Sequence, residues 1–220
     1  MTDELKSSRT TLNRYPGRGH HDFETITTIL DEAFVCHVGF VTNGQPYVIP
    51  TVYGREGHVL YLHGAAAGRL LSETAAATAI CVTVTLVDGL VLARSGFHSS
   101  INYRSVVLLG SAEPVEASGK ERAMKLISDH VVPGRWEALR PVNNMEMDQT
   151  SVLQMEIVEA SAKIRSGPPQ DDEEDYALPI WAGTLDFQSP APIARPDDRL
   201  QPEVTLPEHV RNYRRPAGKS

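Results

Sequence analysis

FVCHVGFVTNGQPYVIPTVYGREGHVLYLH, residues 34–63, places two tight turns between three apolar runs. The first run, FVCHVGFV, is almost continuously apolar and meets Asn43-Gly44, a dipeptide that tolerates the two positive φ angles of a two-residue hairpin. PYVIPTVY (46–53) follows, then the turn REG (55–57), then HVLYLH (58–63). Connections this short bring each strand straight back beside its neighbour, so the three strands are antiparallel.

The same period of two continues outward. In TAICVTVTLV (78–87), Ile80, Val82, Val84 and Leu86 alternate with Cys81, Thr83 and Thr85. LVLARS (90–95) extends that strand past a bend at Asp88-Gly89. YRSVVLLGSAEPVE (103–116), bulged at Gly110, and SVLQMEIVEASAKIR (151–165) read as two more strands. Asp22 caps a helix from Phe23 to Ala33 with Phe23, Ile26, Ile29 and Leu30 on one face. Ser118 and Glu121 form a capping box for a helix reaching about His130, with Met124, Ile127 and Val131 inward. About six strands with few helices exclude a doubly wound sheet and predict a mainly β fold, an antiparallel β-barrel with peripheral helices. The expected organisation is an N-terminal arm (1–21), a barrel domain (22–166) and a C-terminal extension (167–220). The extension is acidic and then proline-rich, and is expected to dock partly around Trp181, because a tryptophan loose in solvent is a liability.

Composition narrows the function. A chain of 220 residues, 41% hydrophobic, has no apolar run near the roughly 20 residues that cross a bilayer. MTDELKSSRTT has no apolar core and does not read as a signal peptide. A net charge of −7 argues against nucleic acid as a partner. Cys36 and Cys81 lie in apolar runs without C-x-x-C spacing, which points to buried thiols in a reducing, cytoplasmic setting and to no metal site.

No nucleophile elbow, P-loop or dinucleotide fingerprint is present. His20 and His21 fall in the arm and are expected to be solvated, His37 to be a core or interface residue, and His63 and His98 to end strands beside small residues. LHGAAAGRLLSETAAA (62–77) turns from strand to alanine-rich helix. Its bare backbone allows two readings: tight helix packing, or amides free to bind an anion, with Arg69 as a nearby cation. In GFHSSINYRSVVLLGSA (96–112), Arg104 either pairs with a carboxylate of the acidic loop or faces a ligand.

Taken in order, VIPTVYGREGHVLYLHGAAAGRLL (48–71), NYRSVVLLGSAEPVE (102–116) and GPPQDDEEDYALPIWAG (167–183) resemble the pyridoxamine 5'-phosphate oxidase-related flavoproteins. The resemblance is to the flavin-nucleotide-binding subgroup that includes nitroimidazole-resistance reductases. It implies a split β-barrel holding FMN at a homodimer interface. Pro50, Thr51 and Val52 would lie along the flavin ring, while His63, Gly64, Ala67, Gly68 and Arg69 would hold the phosphate. Arg104 and Ser105 of the second subunit would reach the polar edge of the flavin, and Trp181 would close over it. The acidic GPPQDDEED leaves no cationic site for pyridoxal phosphate, so the oxidase reaction itself is not expected. The expectation is an FMN-dependent oxidoreductase reducing a small organic molecule, nitroaromatic or quinone-like, with NAD(P)H as candidate donor. His98 and Tyr103 are the candidate general acids. The alternative is a non-catalytic carrier of haem, deazaflavin or FMN on the same barrel.

Overall fold

A computed structural model of the chain describes residues 4–64, 68, 78–187, 192–198, 200–201 and 203–214. Nine strands run through it: β1 (Gly19–His20), β2 (Val35–Thr42), β3 (Gln45–Glu56), β4 (Val59–His63), β5 (Thr78–Leu92), β6 (Ser100–Pro114), β7 (Val152–Glu156), β8 (Ala160–Arg165) and β9 (Gly183–Asp186). They pair antiparallel in the order β1-β8-β6-β7-β4-β3-β2-β5-β9, and a further β5–β6 pairing closes six of them into a ring. The β2–β3 hairpin turns through Asn43 and Gly44 at φ 51° and 78°, the pair of positive angles that the dipeptide announces.

Among the described residues, four α-helices with defined bounds accompany the strands: α1 (Phe23–Glu32), α2 (Ala117–Val131), α3 (Asn144–Gln149) and α4 (Glu208–Arg211). Asp22 caps α1 by accepting from the Thr25 amide at 2.9 Å. Ile26, Ile29 and Leu30 are buried in the same core as Val38, Tyr53, Leu60, Val82 and Leu108 of the ring. α2 instead lies outside, where Ala123 and Ile127 pack with Val52, Tyr61 and Val152.

The structure departs from the sequence pattern at several points. The predicted strand 151–165 is two strands, β7 and β8, which pair with different parts of β6. The bend at Asp88-Gly89 is real, a register shift between Val87 and Gly89, but β6 runs through Gly110 without a bulge. A Cβ at Gly110 would stand 2.8 Å from Met155 Cε, the flexible end of that side chain. No capping box forms at Ser118; α2 starts after Glu116 with no side-chain cap, and the box sits at Asn143 and Glu146 of α3 instead. His21 is buried rather than solvated, its Nδ1 donating to the Ala160 carbonyl at 3.0 Å. The arm that carries it is tied down by backbone bonds between Leu5 and both His21 and Ala160.

Two consecutive residues of β3 fix the helices on either side. Tyr53 is fully buried, and its hydroxyl donates to the carbonyls of Leu30 and Ala33 at 2.5 and 2.9 Å. His130 Nε2, near the end of α2, donates to the same Ala33 carbonyl at 2.7 Å. Gly54 faces the other way, and a Cβ there would stand 2.7 Å from the Ile127 amide nitrogen and the Leu126 carbonyl carbon. Backbone cannot yield as a side chain can, so Gly54→Ala should cost about 1–3 kcal/mol, in the range of core overpacking. Tyr53→Phe takes the hydroxyl donor from the Leu30 carbonyl and leaves Ala33 with His130 alone, and should cost about 1–3 kcal/mol. Denaturant unfolding of both variants measures these losses, and a Gly54→Ala protein as stable as the parent would contradict the contact.

Candidate functional site

Where β3, β4 and α2 meet, Val52, His63, Met124, Ile127, Val131 and Trp136 line a cleft of about 250 Å³. The walls are apolar because α2 presents Met124, Ile127 and Val131 at helical spacing towards the sheet. The imidazole of His63 is pulled below its ordinary pKa by burial, which keeps it neutral and its ring nitrogens available to a ligand. Thr51 Oγ1 donates to the His63 carbonyl at 2.9 Å and so locks the end of β4. Gly64 follows at φ 89°, a left-handed angle that suits glycine, and the Gly68 amide donates back to the Gly64 carbonyl at 2.9 Å.

Thr51, Val52, His63 and Gly64 therefore converge on one corner. Pro50 sits beside them on the outer sheet face, opposite His37, and Gly68 is exposed. Ala67 and Arg69 lie outside the described residues. Trp136 was not expected here; its amide donates to Asp129 Oδ1 at 3.0 Å just past α2, and only the tertiary approach of that turn brings the ring to His63.

Arg104 and Ser105 point to opposite faces of β6, as adjacent strand residues must. Ser105 shares the outer face with Thr85 and Lys163, its partners across the sheet. Arg104 shares its face with Leu86 and is gripped by Asp88 at 2.7 and 2.9 Å and by both oxygens of Glu32. Those two carboxylates raise its pKa and occupy its guanidinium, so within the described residues Glu32 and Asp88, and not the acidic loop, are its partners. Arg94 takes the acidic loop instead, meeting Asp171 at 3.0 Å. His98 faces Asp172 at 3.3 Å, and Tyr103 lies on β6 opposite Val87. The Trp181 ring rests against Gly183 with 65% of its surface exposed.

The outer face of the sheet is distinctive. β2 contributes Val35, His37, Gly39 and Val41, β3 contributes Pro46, Val48 and Pro50, and β5 contributes Cys81, Thr83 and Thr85. No charged side chain interrupts these positions, and Val41 and Val48 are 61% and 67% exposed.

The sequence profile described as pyridoxamine 5'-phosphate oxidase matches residues 22–164. The chain belongs to the pyridoxamine 5'-phosphate oxidase-like family, and its ring of antiparallel strands is that fold. It is 44% identical to the flavocytochrome Anf3 from Azotobacter vinelandii, covering 94% of this chain and 97% of that one with a TM-score of 0.88. It is 33% identical to a FAD and haem binding protein from Mycobacterium smegmatis, covering 88% and 96% with a TM-score of 0.80. A candidate 5-nitroimidazole antibiotic resistance protein from Bacteroides thetaiotaomicron, 22% identical over 66% of this chain and 86% of that one with a TM-score of 0.52, shares the fold alone. A search of curated proteins finds no match. Among the described residues no helix is long and apolar enough to cross a membrane.

His63 and His130 both have pKa values pulled below the ordinary 6.5 by burial. The unfolded chain then binds protons more readily, so these two groups contribute stability above pH 6.5 that is lost as pH falls through their folded values. Unfolding should come at lower denaturant at about pH 5.5 than at about pH 7.5, and His130→Gln should flatten part of that slope. An unchanged slope in His130→Gln would remove His130 from the account.

Proposed function

We propose that this protein is a flavin- and haem-binding redox protein that works as a homodimer. The observation that carries this reading is its similarity, along nearly the whole chain, to a flavocytochrome and to a FAD and haem binding protein. The sequence alone leads to FMN; the relative from Mycobacterium smegmatis binds FAD, and FAD is the flavin we expect. The two groups supply electron transfer when bound, and the protein supplies their orientation and electrostatic surroundings.

The residues present suit both. A planar ring needs a flat, uncharged bed, which the outer face around Val48 and Pro50 offers beside the Thr51–His63–Gly64 corner. Thr51 and Val52 would border the ring, Ser105 of the second subunit its polar edge, and Gly64, Ala67, Gly68 and Arg69 its phosphate. Arg104, held by Glu32 and Asp88, is assigned to the fold rather than to the flavin. Haem iron needs a neutral imidazole; His63, desolvated among Met124, Ile127 and Trp136, meets that need better than His98, which is turned to Asp172. The uncharged face with its exposed valines is the surface we assign to the homodimer. Electrons would pass from a donor such as NAD(P)H to a small organic acceptor.

The protein as isolated, or after reconstitution, should show flavin absorbance together with a Soret band. His63→Ala should remove or shift the Soret band and leave flavin bound, whereas His98→Ala should leave both. Protein that takes up neither group overturns the proposal, and one that takes up flavin alone reduces it to the flavoprotein the sequence suggests. Val48→Glu should turn a dimer into a monomer in sedimentation, since one charge per subunit would be buried without a partner at that face.

A further inference from the structure

Six arginines, Arg9, Arg55, Arg94, Arg104, Arg122 and Arg140, each meet a carboxylate. Of the seven that meet none among the described residues, Arg14, Arg18 and Arg165 line a single cleft of about 270 Å³, while Arg135, Arg195, Arg211 and Arg214 are not part of it. It lies between the N-terminal arm, the β5–β6 connection and the end of β8, and shares no lining residue with the His63 cleft. Arg165 is 92% buried, yet its hydrogen bonds go to neutral groups, Asn102 Oδ1 and the Gly167 carbonyl. Burial and the nearby charge of Arg18 pull its pKa down, the mark of a cation short of a counter-ion. A buried charge with no opposite partner is costly, and an anion in the cleft would relieve it.

The aromatic groups narrow the class of anion. Arg14 and Arg18 stand over the Tyr15 ring at 5.2 and 4.4 Å, and Tyr15 holds a left-handed φ of 58° that an L-residue adopts only under constraint. Phe97, which also lines the cleft, is 88% exposed. In a chain of net charge −7, an aromatic ring left in solvent beside three unpaired arginines suits a nucleotide, with base on ring and phosphates on guanidinium forks. We infer that this cleft binds the phosphates of an adenosine diphosphate group through Arg14, Arg18 and Arg165, with Phe97 as the stacking face for its base. The group belongs to a nucleotide separate from the flavin, whose phosphate the reading above gives to Gly64, Ala67, Gly68 and Arg69, at a site that shares no lining residue with this cleft.

ADP is the probe, titrated calorimetrically into flavin-depleted protein and into protein saturated with FAD. Binding to the depleted protein should weaken at least tenfold in Arg14→Ala/Arg18→Ala, an exposed and a half-buried residue, and less in Phe97→Ala. Far-UV circular dichroism checks the fold of each variant. Undiminished ADP binding to FAD-saturated protein supports a nucleotide site separate from the flavin, and displacement of ADP by FAD overturns it. If FAD never binds but ADP does, the cleft stands and the flavin reading falls. No ADP binding to depleted protein, or equal binding by the parent and Arg14→Ala/Arg18→Ala, overturns the inference.

Discussion

The hydroxyl of Tyr53 donates to two carbonyls in the last turn of α1, in a place from which water is excluded. The His130 imidazole comes to one of the same carbonyls from α2, its ring 4.8 Å from that of Tyr53. A helix C-terminus leaves carbonyls unpaired, and burying them without donors would be prohibitive. These bonds therefore allow α1 to end inside the fold, and they tie both helices to β3. Gly54 completes the arrangement by letting the α2 backbone touch the strand. With α2 at that depth, Met124, Ile127 and Trp136 reach His63, so the candidate cleft depends on Tyr53 and Gly54 although neither lines it.

Charge is distributed with the same economy. Glu32 at the end of α1 and Asp88 at the β5 bulge converge on Arg104, and Asp31 pairs with Arg55 of β3. These pairs knit elements together along one side of the molecule. Across β2, the Pro46–Pro50 stretch of β3 and the Cys81–Thr85 stretch of β5, the broad face carries no charged side chain and displays His37 among valines, prolines and threonines. A surface of that kind favours contact with something flat and apolar, whether a ring system or a second subunit.

Much of this was legible in the residues. The Asn43-Gly44 hairpin, the Asp22 cap and the alternation of β5 follow from local chemistry, and all three hold in the structure. Thr51, Val52, His63 and Gly64 are singled out in the sequence only through family resemblance and not through spacing, since twelve residues separate Thr51 from the carbonyl it meets. What was missed is nonlocal. Nothing near Arg104 announces Glu32, 72 residues away, and nothing in the polar arm announces that His21 is buried against Ala160. The expected capping box at Ser118 failed for a related reason: α2 begins where the chain leaves β6, and Glu116 rather than Ser118 precedes its first turn.

By itself the sequence determined the period of each strand, the hairpin order and the predominance of β structure, because these rest on contacts between near neighbours. Only the tertiary structure decided which of the candidate side chains stand free. It spends Arg104 on two carboxylates, leaves the imidazole of His63 neutral in an apolar cleft, and gathers Arg14, Arg18 and Arg165 without one. A side chain's availability for chemistry is set by the partners that folding brings to it, and those partners come from distant parts of the chain.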